Sequence, residues 1–110
     1  MQCSFENDGG ALIACLSGRL DNTTSSAFKT TLHGKLDEAK PGRLVIDMAD
    51  VEYVSSVGFR ELFLAGRRMT RSGGTLAVCR FQPQVRELFE LAQFMTAYRL
   101  CDTREEALAA

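Results

Sequence analysis

The chain has 110 residues, enough for one domain with a hydrophobic core that needs neither disulfides nor structural metals. Its 13 Lys and Arg side chains against 14 Asp and Glu give a net charge of −1, which argues against a nucleic-acid-binding or anionic-membrane-binding surface. No stretch approaches the ~18 consecutive apolar residues of a membrane span, and the opening MQCSFENDGG lacks the basic and apolar regions of a signal peptide, so we expect a cytoplasmic protein.

The first third of the chain predicts a hairpin followed by a helix. The segments QCSFEN and ALIACLSG are short strand candidates, and the DGG between them is a hairpin signal. In DNTTSSAFKTTLHGKLDEA, Phe28, Leu32 and Leu36 recur every four residues, the spacing of one helical stripe. The Asn, Thr and Ser residues before that stripe can supply an N-cap, and KPG at 40–42 ends the helix.

Three further strands are predicted. RLVIDM, residues 43–48, is a nearly continuous apolar run, as expected of a strand covered on both faces. TLAVCRF, residues 75–81, has the same character, and YRL, residues 98–100, is a short edge-strand candidate.

Helices are predicted between and after these strands. An amphipathic helix of about four turns follows VEYVSS and ends at SGG. Its apolar face is formed by Phe59, Leu62, Phe63, Gly66 and Met69, and its solvated outward face by Arg60, Glu61, Arg67, Arg68 and Arg71. The next helix has Pro83 at its first position and an apolar face of Val85, Leu88, Phe89 and Ala92. The last, in TREEALAA, opens with Thr103 and Glu106 at the spacing of a capping box.

The alternation of strands and helices predicts an α/β fold. Residues 1–110 are expected to form a single domain with a mostly parallel sheet of four or five strands and about four helices. The first hairpin adds an antiparallel edge to that sheet.

Motifs of enzyme chemistry are missing from the sequence. There is no G-x-S-x-G elbow and no glycine-rich phosphate-binding loop. The one histidine, His33, is expected to be a half-exposed surface residue. Asp47, near the end of RLVID, could suggest a phospho-accepting aspartate, but the sequence lacks the acidic pair after the first strand that a receiver domain needs. We therefore predict no catalytic residue, no metal ligand and no cofactor.

The four cysteines form neither a C-x-x-C pair nor a tight cluster. They are Cys3, Cys15, Cys79 and Cys101, and the last three lie in apolar strand-like runs, where a free thiol acts as a small hydrophobe. A disulfide, a zinc site or thiol chemistry in a small α/β enzyme or ligand-binding domain is the alternative.

The segment VEYVSSVGFREL places two serines where a strand gives way to a helix. Ser55 or Ser56 can cap the helix that begins near Val57, a role that contributes ~1 kcal/mol. Gly58 is unfavourable in a first helical turn by up to ~1 kcal/mol, so we expect it to provide space for a partner or ligand. An exposed hydroxyl at a helix N-terminus also suits a phosphate, because free N–H groups and the helix dipole favour an anion there.

Four segments in order resemble the STAS domains of bacterial anti-sigma factor antagonists. They are GRLDNTT, RLVIDMADVEYVSSVGF, SGGTLAVCRFQPQVRELFELAQF and DTREEAL, and the resemblance runs from about Ala11 to the C-terminus. In that family a serine at the start of the second helix, in a D-S-S-G-like motif, is phosphorylated by an anti-sigma factor that is also a serine kinase. The resemblance places Ser56 at the phosphoacceptor, Ser55 at the usual aspartate and Gly58 at the glycine.

The resemblance implies further site residues and one departure from the family pattern. Asp21 matches a position near the kinase-binding surface, although starting the first helix is an equally good role for it. Arg60 is expected to affect partner affinity if the helix start is the docking site. Because a serine replaces the aspartate at position 55, which of the two hydroxyls accepts phosphate stays open, and the loss of an acid beside the acceptor bears on kinase recognition.

The function that the resemblance implies is a partner switch without catalysis. The unmodified chain would bind an anti-sigma factor of the GHKL serine-kinase type through Asp21, Ser55, Ser56, Gly58 and Arg60 and displace a sigma factor. Phosphorylation of Ser56 would release it, and a phosphatase would reset it. The alternative is a STAS accessory subunit of a transporter ATPase or signalling assembly that has no phosphorylation switch.

Overall fold

The computed structural model describes residues 1–92 and 99–109, with only the backbone described for residues 91 and 92. Within these residues the elements follow the predicted order. They are β1 (Gln2–Asp8), β2 (Ala11–Leu20), α1 (Ser25–Ala39), β3 (Arg43–Val54), α2 (Ser56–Arg71), β4 (Thr75–Cys79), α3 (Pro83–Ala92), β5 (Arg99–Cys101) and α4 (Arg104–Ala109). The predicted α/β architecture is confirmed.

The five strands form one sheet in sequential order, β1-β2-β3-β4-β5. β1 pairs with β2 antiparallel through the predicted hairpin, and all other neighbours pair parallel. Because right-handed crossovers between successive neighbouring strands place their helices on the same face, α1, α2 and α3 share one core with that face of the sheet.

The larger core lies under these three helices. The stripe of Phe28, Leu32 and Leu36 is fully buried, as predicted. In α3, Val85 and Phe89 are buried and Leu88 is half-buried, whereas the side chain of Ala92 lies outside the described residues. The Phe89 ring packs edge-on against Phe59 at a centroid distance of 4.7 Å, which fixes α3 against α2.

The opposite face of the sheet is covered by the six-residue helix α4. Ala107 packs there among Ile13, Val45, Ala77, Cys79 and Cys101, so two of the cysteines act as the buried hydrophobes that their sequence context predicts. The N–H of Glu106 donates to the Thr103 hydroxyl at 3.1 Å, which caps the helix, and the Arg43 guanidinium donates to the Leu108 carbonyl near its end.

A buried ion cluster also holds α4 on the sheet. The Asp47 carboxylate is only 3% exposed and accepts from Arg104 at 2.8 Å and from Arg80 at 3.1 Å. Burial by itself raises the pKa of this carboxyl, but hydrogen bonds from Arg104, the Ala49 N–H and Arg80 outweigh it, so the Asp47 pKa lies below its usual range. Asp47 therefore has a structural role within β3, beside the carboxyl end of β4 at Cys79.

Strand ends differ from the sequence prediction. β3 extends six residues past Met48 to Val54, because ADVEYV continues to pair with the ten-residue β2. β4 ends at Cys79 and not at Phe81, because Arg80 turns into the left-handed region with φ 59° while its guanidinium bonds Asp47. Tyr98, the first residue of the predicted YRL strand, lies outside the described residues.

The prediction for the outward face of α2 was wrong for Glu61 and incomplete for Arg68. Glu61 is 9% exposed and its Oε2 is buried without a hydrogen-bond partner among the described residues. Arg68 contacts α1, where it donates to His33 Nδ1 at 2.9 Å and pairs with Asp37. Both side chains lie on the flank of α2 that faces α1, and His33 is half-buried there.

Candidate functional site

Two strand–helix junctions meet at one edge of the sheet. β2 ends at Leu20 and β3 ends at Val54, and these two residues are register partners in parallel strands. The Ser55 N–H donates to the Leu20 carbonyl at 2.8 Å. The start of α1 and the start of α2 are therefore fixed next to each other at the carboxyl ends of the strands, where α/β sheets place their binding sites.

The two adjacent serines have different roles. Ser55 is the N-cap of α2, with extended backbone angles, and its side-chain oxygen accepts from the Gly58 N–H at 3.2 Å. Ser56 is the first residue of α2 and is exposed. Among the described residues no group forms a hydrogen bond to the Ser56 hydroxyl. The cap prediction is thus confirmed for Ser55, and the other hydroxyl is left accessible.

Gly58 corrects the reasoning from the sequence. We expected its missing side chain to leave room for a partner, but the residue is buried against β2 and β3. A Cβ atom at this position would lie 2.7 Å from the Leu20 carbonyl oxygen and 2.8 Å from Leu20 Cγ. The chain's own strand β2 occupies the space, so the glycine is required for packing the first turn of α2.

Asp21 organises the turn that leads from β2 into α1. Its Oδ1 accepts from the Thr23 N–H at 3.0 Å, the Thr23 hydroxyl at 2.8 Å and the Thr24 N–H at 3.2 Å. The bond from the Thr23 hydroxyl is the main reason that the Asp21 pKa lies below its usual value. Its Oδ2 lies 3.7 Å from Arg19. The helix-starting role foreseen for Asp21 is thus present, on the same side of the molecule as Ser56.

A shallow depression connects these residues and is called the serine site below. It is lined by Asp21, Asn22, Thr23, Tyr53, Ser55 and Ser56. Gly58 lies beneath it, and Arg60 is exposed one turn further along α2. Of the predicted residues, the structure brings Asp21, Ser55 and Ser56 together at the surface.

Apolar side chains beside the serine site were not predicted. The exposed large hydrophobic residues of the described chain are Met1, Tyr53 at 37% and Val57 at 40% exposure. Two of these three flank Ser56, and the Arg19 guanidinium stacks over the Tyr53 ring at 4.5 Å. The signal in the sequence was Tyr53 itself, a large aromatic residue directly after the charged Glu52 near a strand end.

The chemistry that this arrangement supports is acceptance of an anion at Ser56. The first N–H groups of a helix lack intrahelical acceptors, and the helix dipole favours negative charge at this end. α2 has no acidic residue in its first turn. Within residues 1–92 and 99–109 no group of three or more His, Cys, Asp or Glu side chains could hold a metal ion.

Membrane insertion by a helix finds no support in the described part of the chain. None of its helices combines the length and the apolar character that crossing a bilayer requires.

Sequence comparison assigns the fold to a family. Residues 2–107 match the model of the STAS domain, and this chain belongs to that family.

Relatives in the family carry anti-sigma factor antagonist names. One relative that carries this name is BtrV of Bordetella bronchiseptica, which is 31% identical to this chain over 110 residues. The match covers all of this chain and 94% of BtrV. A crystal structure of an anti-sigma factor antagonist from Mycobacterium paratuberculosis superposes with a TM-score of 0.88 at 25% identity, covering 98% of this chain and 91% of that one. The Bacillus protein SpoIIAA in its phosphorylated form has the same fold, with a TM-score of 0.72 at 15% identity over 98% of this chain and 97% of that one.

Proposed function

We propose that this chain is an anti-sigma factor antagonist that switches partners by phosphorylation of Ser56. In the unmodified state it binds an anti-sigma factor of the GHKL serine-kinase type at the serine site, so that a sigma factor is released. Phosphorylation ends this binding, and a phosphatase restores it. The chain acts in the cytoplasm as a substrate and competitor and has no catalytic residues of its own.

The observation that carries the proposal is the division of roles between the two serines. Because Ser55 caps α2, phosphorylation of Ser56 removes no hydrogen bond from the described fold. The exposed Tyr53 and Val57 beside Ser56 provide apolar contact area for a protein partner. The anti-sigma factor antagonist name of BtrV, at 31% identity over the whole chain, supports the same conclusion.

The phosphoryl transfer is expected to be carried out by the kinase. The Ser56 hydroxyl oxygen forms a bond to the γ-phosphorus of ATP, the bond between that phosphorus and the bridging oxygen of ADP breaks, and the hydroxyl proton passes to a base of the kinase. The product phosphate carries about −1.5 to −2 charges at neutral pH. The start of α2 tolerates this charge because of its free N–H groups and its dipole.

Release follows from the charge that phosphorylation adds to a closely fitting interface. An unpaired or like-charged group at such an interface costs several kcal/mol. A cost of ~3–4 kcal/mol weakens binding by roughly 10²–10³-fold. The fold does not need to rearrange for this to happen.

The test is to incubate the protein with each GHKL-type serine kinase of the source organism and ATP, and to map phosphate in the 51–62 segment by mass spectrometry. We expect phosphate on Ser56, none in Ser56→Ala, and continued phosphorylation of Ser55→Ala. Ser56→Asp should lose binding of that kinase, whereas Ser56→Ala should bind it and not be released by ATP.

Two results would contradict the proposal. One is phosphate on Ser55 in the wild-type protein. The other is a kinase that binds unmodified protein and Ser56→Asp equally well, which would favour an accessory STAS subunit without a phosphorylation switch.

A further inference from the structure

The outward side of α2 carries a row of arginines that leads away from the serine site. Arg60, Arg67 and Arg71 are exposed on one side of the helix. Val57 is exposed and Leu64 half-buried on the same side. We call these five residues the arginine face. Its arginines span eleven residue steps from Arg60 to Arg71, or about 16 Å along the helix axis, and the first of them lies one turn from Ser56.

The arginines of this face have no carboxylate partner in the described part of the chain. Five of the other seven arginines pair within 4 Å with an acidic side chain: Arg19 with Asp21, Arg68 with Asp37, Arg80 and Arg104 with Asp47, and Arg86 with Glu90 and Asp102. The one acidic residue of α2, Glu61, is buried away from the arginine face. Residues 93–98 contain no Asp or Glu.

The arginine face is thus a local excess of positive charge on a chain whose net charge is −1. A surface arginine that already pairs with a carboxylate of its own chain gains little binding energy from a second protein. An unpaired arginine, in contrast, can form bidentate hydrogen bonds to a carboxylate of another protein. The Arg67 guanidinium lies 5.9 Å from the Phe63 ring centroid, so an aromatic side chain supports one of the three cations. Arginine together with apolar and aromatic side chains is the composition enriched at protein interfaces.

We propose that the arginine face is a second docking surface, which binds an acidic surface of the same kinase that modifies Ser56. This inference rests on the proposed function, because the face is continuous with the serine site. An acidic protein surface fits better than nucleic acid or an anionic membrane, since three arginines supply few of the phosphate contacts that strong nucleic-acid binding uses. The arginine face steers the kinase onto Ser56 and holds it along α2.

The experiment measures association of the kinase identified above with the full chain by surface plasmon resonance at low and high salt. The variants are Arg67→Glu, Arg71→Glu and the double variant. The matched control for each single reversal is Lys29→Glu, which makes the same charge change of −2 at an exposed position of α1 that has no ion pair in the described residues. Thermal unfolding of every variant checks that the fold is kept.

We expect the double reversal to slow association on the order of tenfold and to reduce its salt dependence. The Lys29→Glu control should change association by less than about twofold. Phosphorylation of Ser56 at saturating kinase should persist in the double variant, because the serine site is untouched.

Failure of this inference differs from failure of the proposed function. If the kinase binds and phosphorylates Ser56 but the reversals slow association no more than Lys29→Glu does, only the arginine face is rejected. If no kinase binds the wild-type chain, both are rejected. The wild-type chain can also be tested for binding to a short DNA duplex and to phosphatidylserine vesicles. If it binds either one and the double reversal abolishes that binding, the proposal of a protein partner at the arginine face is rejected.

Discussion

Replacing Gly58 by Ala should destabilise the protein, although the same change stabilises an average helix. The added methyl group would meet the Leu20 carbonyl oxygen at 2.7 Å and Leu20 Cγ at 2.8 Å, and such overpacking costs about 1–3 kcal/mol. The same carbonyl accepts from the Ser55 N–H, a bond whose loss costs about 0.5–1.5 kcal/mol. Better helix propensity returns only about 1 kcal/mol. The free energy of unfolding should therefore fall by roughly 1–3 kcal/mol.

Urea unfolding followed by circular dichroism measures this change, with Gly34→Ala as the matched control. Gly34 lies inside α1, and a Cβ there meets no atom within 4 Å, so the control should gain about 0.5–1 kcal/mol. The urea midpoint should shift down by about 1 M in Gly58→Ala and slightly up in Gly34→Ala. Shifts of the same sign in both variants would refute the argument that strand β2 requires glycine at position 58.

Ser55→Ala should lower the free energy of unfolding by about 1 kcal/mol, because a first-turn N–H loses its acceptor. Ser56→Ala should change the free energy of unfolding by less than about 0.5 kcal/mol. Equal losses in urea titrations of the two variants would contradict the assignment of Ser55 as the cap. Asp47→Asn should cost about 2–3 kcal/mol near neutral pH, because Arg104 loses a buried carboxylate. Since the folded-state Asp47 pKa lies below its ordinary value, the ionised carboxylate stabilises the fold above that ordinary value, and this contribution disappears as the pH falls through the lowered pKa. The stability of the wild-type protein should therefore approach that of Asp47→Asn between about pH 5 and pH 2, and parallel stability curves over that range would disprove the linkage. Burial raises the pKa of the Cys79 thiol to about 12, so iodoacetamide at about pH 8 should label it only after unfolding, and rapid labelling of native protein, read by peptide mass mapping, would point to a reactive thiol.

The architecture could be predicted because its signals are local. The stripe of Phe28, Leu32 and Leu36 sets α1, and the DGG turn sets the first hairpin. The ends of β3 and β4 could not be predicted in this way. β3 extends to Val54 because its neighbour β2 is ten residues long, and β4 ends where Arg80 turns toward Asp47. Both depend on partners that are distant in the sequence.

The candidate site was predictable in its residues and less so in their roles. Asp21, Ser55 and Ser56 lie together as the resemblance to the family implied. The role of Gly58 could not be read from the sequence, because the atom that excludes a side chain there belongs to Leu20, 38 positions earlier. Glu61 was assigned to the outward face because helical spacing alone does not show that α1 covers that flank of α2.

The separate roles of Ser55 and Ser56 have a consequence for how this position can change over time. Because the Ser56 hydroxyl forms no hydrogen bond within the described fold, Ser56 can be exchanged for Ala, Thr or an acid with little loss of folding free energy. Ser55 cannot be exchanged so freely, because its side chain caps α2. The residue found at position 56 in each descendant of this chain should therefore record what its signalling partners required. Position 55 and the glycine at 58 should record what the fold required.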